Sequence, residues 1–262
     1  TSFRRFLLSL LFQTHHMADL IFDKYENIKC LATGGMGDVH LARQRGIAGF
    51  DRLVILKSLR SELSGDASFV SQFLDEARIT GAMNHPNIVS VLEVGKWKKA
   101  HYIAMEYVDG PTVSQIWLAA AKAKKGLPYL FSVRIVREVA LGFAHAHEAT
   151  DVNHKRLHIV HRDISPQNMM VRRDGVVKIV DFGIAKSNNK RTISQANTIK
   201  GKLHYMSPEQ LRNLTVDGQT DQFALGVILW ELTTGKRLFK SSDEKQTIRN
   251  VLDKTVPPPT SF

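Results

Sequence analysis

The chain has 262 residues, 43% hydrophobic and 23% charged, enough apolar side chain to bury one large core or two moderate ones. A single cysteine, Cys30, excludes an intramolecular disulfide and the multi-cysteine metal sites, and points to a reducing compartment. The net charge of +11 keeps an anionic partner in view, but the basic residues lie in small scattered groups (Lys96, Lys98 and Lys99; Lys122, Lys124 and Lys125; Arg172 and Arg173) without a nucleic-acid motif, so no specific nucleic acid is expected.

The first element in chain order is an apolar run over 6–12, too short to span a bilayer and lacking a small-residue cleavage site. Residues 1–23 read as an N-terminal extension, disordered or introduced by cloning, with Met17 as a natural start. Segments rich in β-branched and aromatic residues predict strands over 25–32, 38–44, 53–59, 88–94 and 101–108. One helix interrupts them: Ser64 or Asp66 caps it, Phe69, Phe73, Glu76 and Thr80 recur at helical spacing, and Asn84-His85-Pro86 stops it. After residue 110 helices dominate, over 128–148 and 217–234; the apolar run 223–232 inside the second is core length, not membrane length. The expected fold class is α+β, a sheet-rich part followed by a helical part.

Three groups of residues carry chemistry. In LATGGMGDV, Gly34, Gly35 and Gly37 permit a tight turn whose amides can approach a phosphate, an ordinary hairpin turn being the alternative. No Gly-Lys-Ser/Thr follows, so this is not a Walker loop. Lys57, in the apolar strand VILK, needs a partner if buried, and Glu76 on the helix stripe is the candidate, in either a functional or a purely structural pair. In IVHRDISPQNMMV, Asp163 can accept the proton of an attacking hydroxyl, while Asn168 and Asp181 of VDFG offer the hard oxygen ligands Mg²⁺ prefers. Ser207-Pro208-Glu209 completes a motif order that is jointly very specific.

On these motifs, residues 24–259 resemble eukaryotic-type (Hanks-type) protein kinase domains, most of all the bacterial serine/threonine kinases with SPEQ after the activation loop. The resemblance implies a bilobal α+β fold with ATP in the cleft: a β-rich N-lobe and hinge over 24–108 and a helical C-lobe over 109–262 that stops early, as if truncated. It implies transfer of the ATP γ-phosphate to Ser/Thr hydroxyls of protein substrates with Mg²⁺ as cofactor. Gln167 before Asn168, where tyrosine kinases carry Arg, sides with the serine/threonine branch. By the same resemblance Lys57 holds the α and β phosphates and is oriented by Glu76, Asp163 is the catalytic base, and Asn168 and Asp181 bind Mg²⁺. Met105 is the gatekeeper, backbone groups of Glu106 and Val108 meet adenine, Leu31, Val39 and Met170 sandwich the base, and Asp221 braces the catalytic loop. The implied location is cytoplasmic, alone or as the cytoplasmic part of a longer membrane protein whose attachment lies outside these residues.

Departures from the family pattern matter as much. Ala32 replaces the first loop glycine and Ile55 a small residue against adenine; both narrow the expected pocket, and a pseudokinase serving as a nucleotide-binding or interaction module is the alternative function. Ser165 stands where these kinases carry Lys, and Lys202 stands where a Thr follows the activation-loop glycine, so the cation is expected to have migrated, making Lys202 catalytic. Between 184 and 206 there is no acid, and this cationic loop is expected to attract a phosphate on Thr192, Ser194 or Thr198, received by Arg162. Glu209 is expected to lack its usual Arg partner.

Overall fold

The computed structural model describes residues 20–22, 24–46, 49–151, 153–182 and 202–262, in two compact units. The first holds the described part of Thr1–Val70 together with Glu93–Tyr107. Its sheet runs through β1 (Leu20–Ile21), β2 (Tyr25–Thr33), β3 (Gly37–Gln44), β4 (Arg52–Leu59), β5 (Val91–Trp97) and β6 (Ala100–Glu106), in the order β1-β2-β3-β4-β6-β5. The pairings β1 to β2, β2 to β3, β3 to β4 and β4 to β6 are all antiparallel.

Successive side chains on a strand point to opposite faces, and β4 uses this fully. Val54 and Leu56 are fully buried on one face beside Ala42 and Ala104, and Ile55 and Lys57, half-buried, share the other. The register places Lys57 between Val39 and Ile103, and Ile55 between Leu41 and Met105, so five of these apolar side chains line the face that presents the lysine.

The extension expected over residues 1–23 ends too late. Leu20 and Ile21 pair with β2, Phe22 stacks on Tyr102 at 4.4 Å, and Lys24 forms an ion pair with Glu93, which also accepts from the hydroxyls of Tyr25 (2.9 Å) and Tyr102 (2.8 Å). The strand expected over 88–94 begins only at Val91, because Val89 N–H donates to the Ile179 carbonyl at 3.0 Å and Ile179 N–H to Asn87 at 2.8 Å. Tertiary pairing overrides the local strand propensity there.

The second unit holds Ser71–Leu92 and Val108–Phe262, so the division falls inside a helix and not at the expected 108/109 boundary. That helix, α1 (Ala67–Gly81), is capped by Asp66, whose Oδ1 accepts the Ser68 N–H at 2.8 Å. Past its end, Met83 and Ile88 join the core of the second unit, which explains the division. The remaining elements are α2 (Val113–Lys122), α3 (Tyr129–Glu148), the hairpin β7 (Met169–Val171) and β8 (Val177–Ile179), α4 (Pro208–Leu211), α5 (Gly218–Thr234) and α6 (Glu244–Asp253). Asp217 caps α5, and the helix is buried nearly all round, through Ala224, Leu225, Val227, Ile228, Trp230 and Leu232. Hence its sequence shows no amphipathic stripe.

α3 approaches β8 so closely that a Cβ on Gly142 would sit 2.7 Å from Ile179 Cδ1. No described helix is long and apolar enough to cross a membrane.

Candidate active site

In the second unit the site is built from the backbone of residues 161–163. Asp221, 1% exposed in the first turn of α5, accepts the N–H of Arg162 on Oδ1 and that of His161 on Oδ2, each at 2.9 Å. His147 Nε2 lies 2.9 Å from the same Oδ2. Arg162 has φ 64°, a left-handed conformation uncommon for a residue with a Cβ. It persists because both its peptide groups are held: Asp221 takes the N–H, and Gln210 Nε2 donates to the carbonyl at 2.9 Å. Asp221→Asn, isosteric but turning one acceptor into a donor facing a backbone N–H, is expected to destabilise the unit by about 2–3 kcal/mol. At ~2–4 °C per kcal/mol this is a fall in melting temperature of roughly 4–12 °C, readable by calorimetry.

His161 is wholly buried, its ring 4.7 Å from that of Phe182 and tilted by 46°. Asp163 N–H donates to His161 Nδ1 at 3.3 Å, so the other nitrogen carries the proton, toward the Val180 carbonyl at 3.4 Å. Burial keeps the ring below the usual histidine range despite the Asp221 and Asp163 charges, and it stays neutral.

This backbone presents Asp163. Asn168 Nδ2 donates to its carbonyl at 2.8 Å and lies 3.5 Å from its Oδ2. Lys202 Nζ donates to Asp163 Oδ2 at 2.9 Å, the lysine side chain being 18% exposed and the aspartate 13%. Ser165 is 1% exposed, and among the described residues its Oγ has no hydrogen-bond partner. Asp181 is exposed, with φ 54°, and its chain neighbour Val180 donates to the Asn168 carbonyl at 3.0 Å. With the Asn168 amide nitrogen committed to Asp163, its oxygen remains as an acceptor. One carboxylate and one amide oxygen fit Mg²⁺, which takes few protein ligands and keeps water and phosphate for the rest.

The other predicted positions fall as follows. Lys57 and Glu76 are half-buried in different units. Gly34 N–H closes its turn on the Gly37 carbonyl at 2.9 Å. A Cβ on Gly37 would lie 2.1 Å from the Ser58 carbonyl oxygen, so this glycine answers first to the packing of β3 on β4; Gly35 faces open space. Ala32 pairs with Val39 and keeps a negative φ. Leu31 is the residue omitted at the register shift between Cys30 and Ala32, 48% exposed. Met105 and Glu106 end β6, Val108 is 3% exposed, and Met170 lies in β7 bridged to Thr112.

Glu209, expected to lack its usual Arg partner, accepts the Thr220 hydroxyl at 2.7 Å. Thr192, Ser194, Thr198 and the basic residues from Lys186 to Lys200 lie outside the described residues, as does Gly183.

Reading the sequence alone misses His147, Gln210, and the buried set in which Glu231 accepts from Tyr205 and Arg237, each at 2.8 Å. A histidine in a last helical turn and a glutamine in a four-residue helix carry no local signal of a long-range bond.

Four histidines (His85, His101, His161 and His204) sit below the ordinary range, burial being the leading cause in each. His204, also near Arg237 and Lys240, is pushed down to about 4. A histidine kept neutral in the fold but protonated when unfolded stabilises the fold above pH ~6.5, and this contribution is lost as the pH falls toward the folded value. Thermal melting is therefore expected to drop between pH 6.5 and 4, and the drop is expected to flatten in His204→Phe.

The family model for the protein kinase domain matches residues 25–260. The chain belongs to that family. It is 37% identical over 238 residues to the tyrosine-protein kinase MasK of Myxococcus xanthus, covering 91% of this chain and 37% of that protein. It is also 37% identical to a probable serine/threonine-protein kinase of Clostridium perfringens, over 91% of this chain and 33% of that protein. With the serine/threonine-protein kinase PrkC of Bacillus subtilis the identity is 35%, over 82% of this chain and 31% of that protein. The chain thus spans about a third of the length of these relatives. Among solved structures, a double mutant of the Mycobacterium tuberculosis PknI kinase domain superposes with a TM-score of 0.65 at 25% identity, covering 94% of this chain and 83% of that one. The fold is that of a protein kinase, a β-sheet N-lobe followed by a helical C-lobe.

Proposed function

We propose that this domain transfers the γ-phosphate of ATP to serine and threonine hydroxyls of protein substrates. The observation that carries the reading is the setting of Asp163, on a backbone clamped by Asp221 and Gln210, with Asn168 bonded to its carbonyl and an ammonium group on its carboxylate. Such a carboxylate can orient a hydroxyl and take its proton, while Asn168 and Asp181 would hold Mg²⁺, which would supply positive charge to offset that of the phosphates. Lys57 takes the α and β phosphates, with Glu76 as its partner in the same proposal; Leu31, Val39 and Met170 serve the adenine faces, behind Met105, with Glu106 and Val108 at its edge. The glycine turn covers the phosphates. Phosphorylation at Thr192, Ser194 or Thr198 as a control, and a cytoplasmic location, belong to this reading, the first supported by the acid-free stretch 184–206.

One observation favours a second reading, a nucleotide-binding module without transfer: Ile55 lies on the same face of β4 as Lys57, next to Met105 in register. Incubation with γ-labelled ATP, Mg²⁺ and a generic basic protein separates the two. Label on serine and threonine after acid hydrolysis is expected; label mainly on tyrosine would overturn the residue class, and bound nucleotide with no label would favour the second reading.

A further inference from the structure

Lys202 reaches Asp163 from 39 residues further along the chain. A lysine held at 2.9 Å with only 18% of its side chain exposed has given up most of its rotamer freedom, unlike the lysines of ordinary surface pairs. Its backbone is anchored too. The Lys202 carbonyl accepts the Tyr205 N–H at 3.0 Å, and the Tyr205 hydroxyl donates to Glu231 at 2.8 Å and accepts from Arg237 at 2.6 Å. Two residues beyond Asp163, Ser165 is buried, uncharged, and without a hydroxyl partner among the described residues. Position 165 therefore brings no cation to the reaction, and among the described residues Lys202 places one on Asp163.

We infer that Lys202 is a catalytic residue: it holds Asp163 Oδ2 in place for the incoming hydroxyl and supplies the positive charge that the transferring phosphoryl group needs and that Ser165 cannot give. This rests on the kinase reading above. In the step concerned, the proton of the substrate hydroxyl passes to Asp163 and its oxygen bonds the γ-phosphorus. The bond from that phosphorus to the bridging oxygen breaks, and ADP leaves with the electron pair on that oxygen. Charge spreads over the phosphoryl oxygens as this happens. An ammonium carries three N–H donors, so the bond to Asp163 does not exhaust it, and a fixed cation in a poorly hydrated site is worth far more there than in water.

The test compares the parent chain with Lys202→Ala and with Ser165→Lys/Lys202→Thr, reading kcat, KM for ATP, nucleotide affinity and melting temperature. Lys202→Ala is expected to lower kcat by ~10²- to 10³-fold, as for loss of one preorganised transition-state contact, with KM for ATP and nucleotide affinity held within about twofold. The double variant, with its cation back in the catalytic loop, is expected to recover most of that loss, a gain that no merely structural role explains. If Lys202→Ala proves too unstable to assay, the double variant decides alone: activity near the parent supports the inference, and a folded but inactive protein overturns it. A parent that transfers phosphate while Lys202→Ala matches or exceeds it overturns the inference alone and leaves the kinase reading standing. A parent that binds Mg²⁺ and ATP without transfer removes both.

Discussion

Asp163→Asn is expected to lower phosphate transfer by about 10²- to 10⁴-fold, the usual contribution of a positioned general base. The replacement is isosteric. Its amide oxygen can still accept from Lys202, and the backbone contacts around it (His161, Asn168, Asp221) do not involve the lost charge. The melting temperature and nucleotide affinity should therefore stay near those of the parent, and single-turnover measurement with saturating ATP isolates the chemical step. A variant that turns over at the parent rate would remove Asp163 from the chemistry, and with it the observation on which the proposed function rests.

Lys57→Met is the second large effect. Lys57 sits on β4 with Val39 and Ile103 as its cross-strand neighbours, an apolar setting in which a methionine can fill the space of the lysine stem. The sheet is expected to survive with little loss of stability, while transfer falls by at least ~10³-fold because the phosphates lose their fixed cation. Circular dichroism and a phosphate-transfer assay on one preparation check both halves. Near-parent turnover in a folded variant would end the assignment of Lys57. Glu76→Gln is expected to cost less, since an amide oxygen can still accept from an ammonium.

Much of this was legible because the chemistry-bearing residues lie in dense local motifs and the helices announce their ends. Asp66 was readable as one of two candidate caps, and the helices over 128–148 and 217–234 appear as Tyr129–Glu148 and Gly218–Thr234. What stayed hidden depends on partners far along the chain. The start of β5 slips to Val91 because Asn87 and Val89 are taken by β8, and nothing in 88–94 says so. β1 is two residues long, too short for an alternation to show. The donor that reaches Glu209 is the Thr220 hydroxyl, brought near by α5 and by no motif. The glycines of the first hairpin were legible as a turn, yet the demand on Gly37 comes from the Ser58 carbonyl of the next strand.

Gly142 has a genetic consequence. It lies in the middle of α3, outside the catalytic motifs, and a methyl added there would sit 2.7 Å from the Cδ1 of Ile179. Ile179 is the residue through which β8 pairs with Met169, directly before the chain runs on to Val180 and Asp181. A side chain at 142 must first displace the Ile179 Cδ1 methyl, and only one too large for that rotation to absorb presses on β8 and the turn that follows it. A mutational scan scored only by activity would thus show losses at position 142 that grow with side-chain size, and a purely chemical map of the site would have no place to put them.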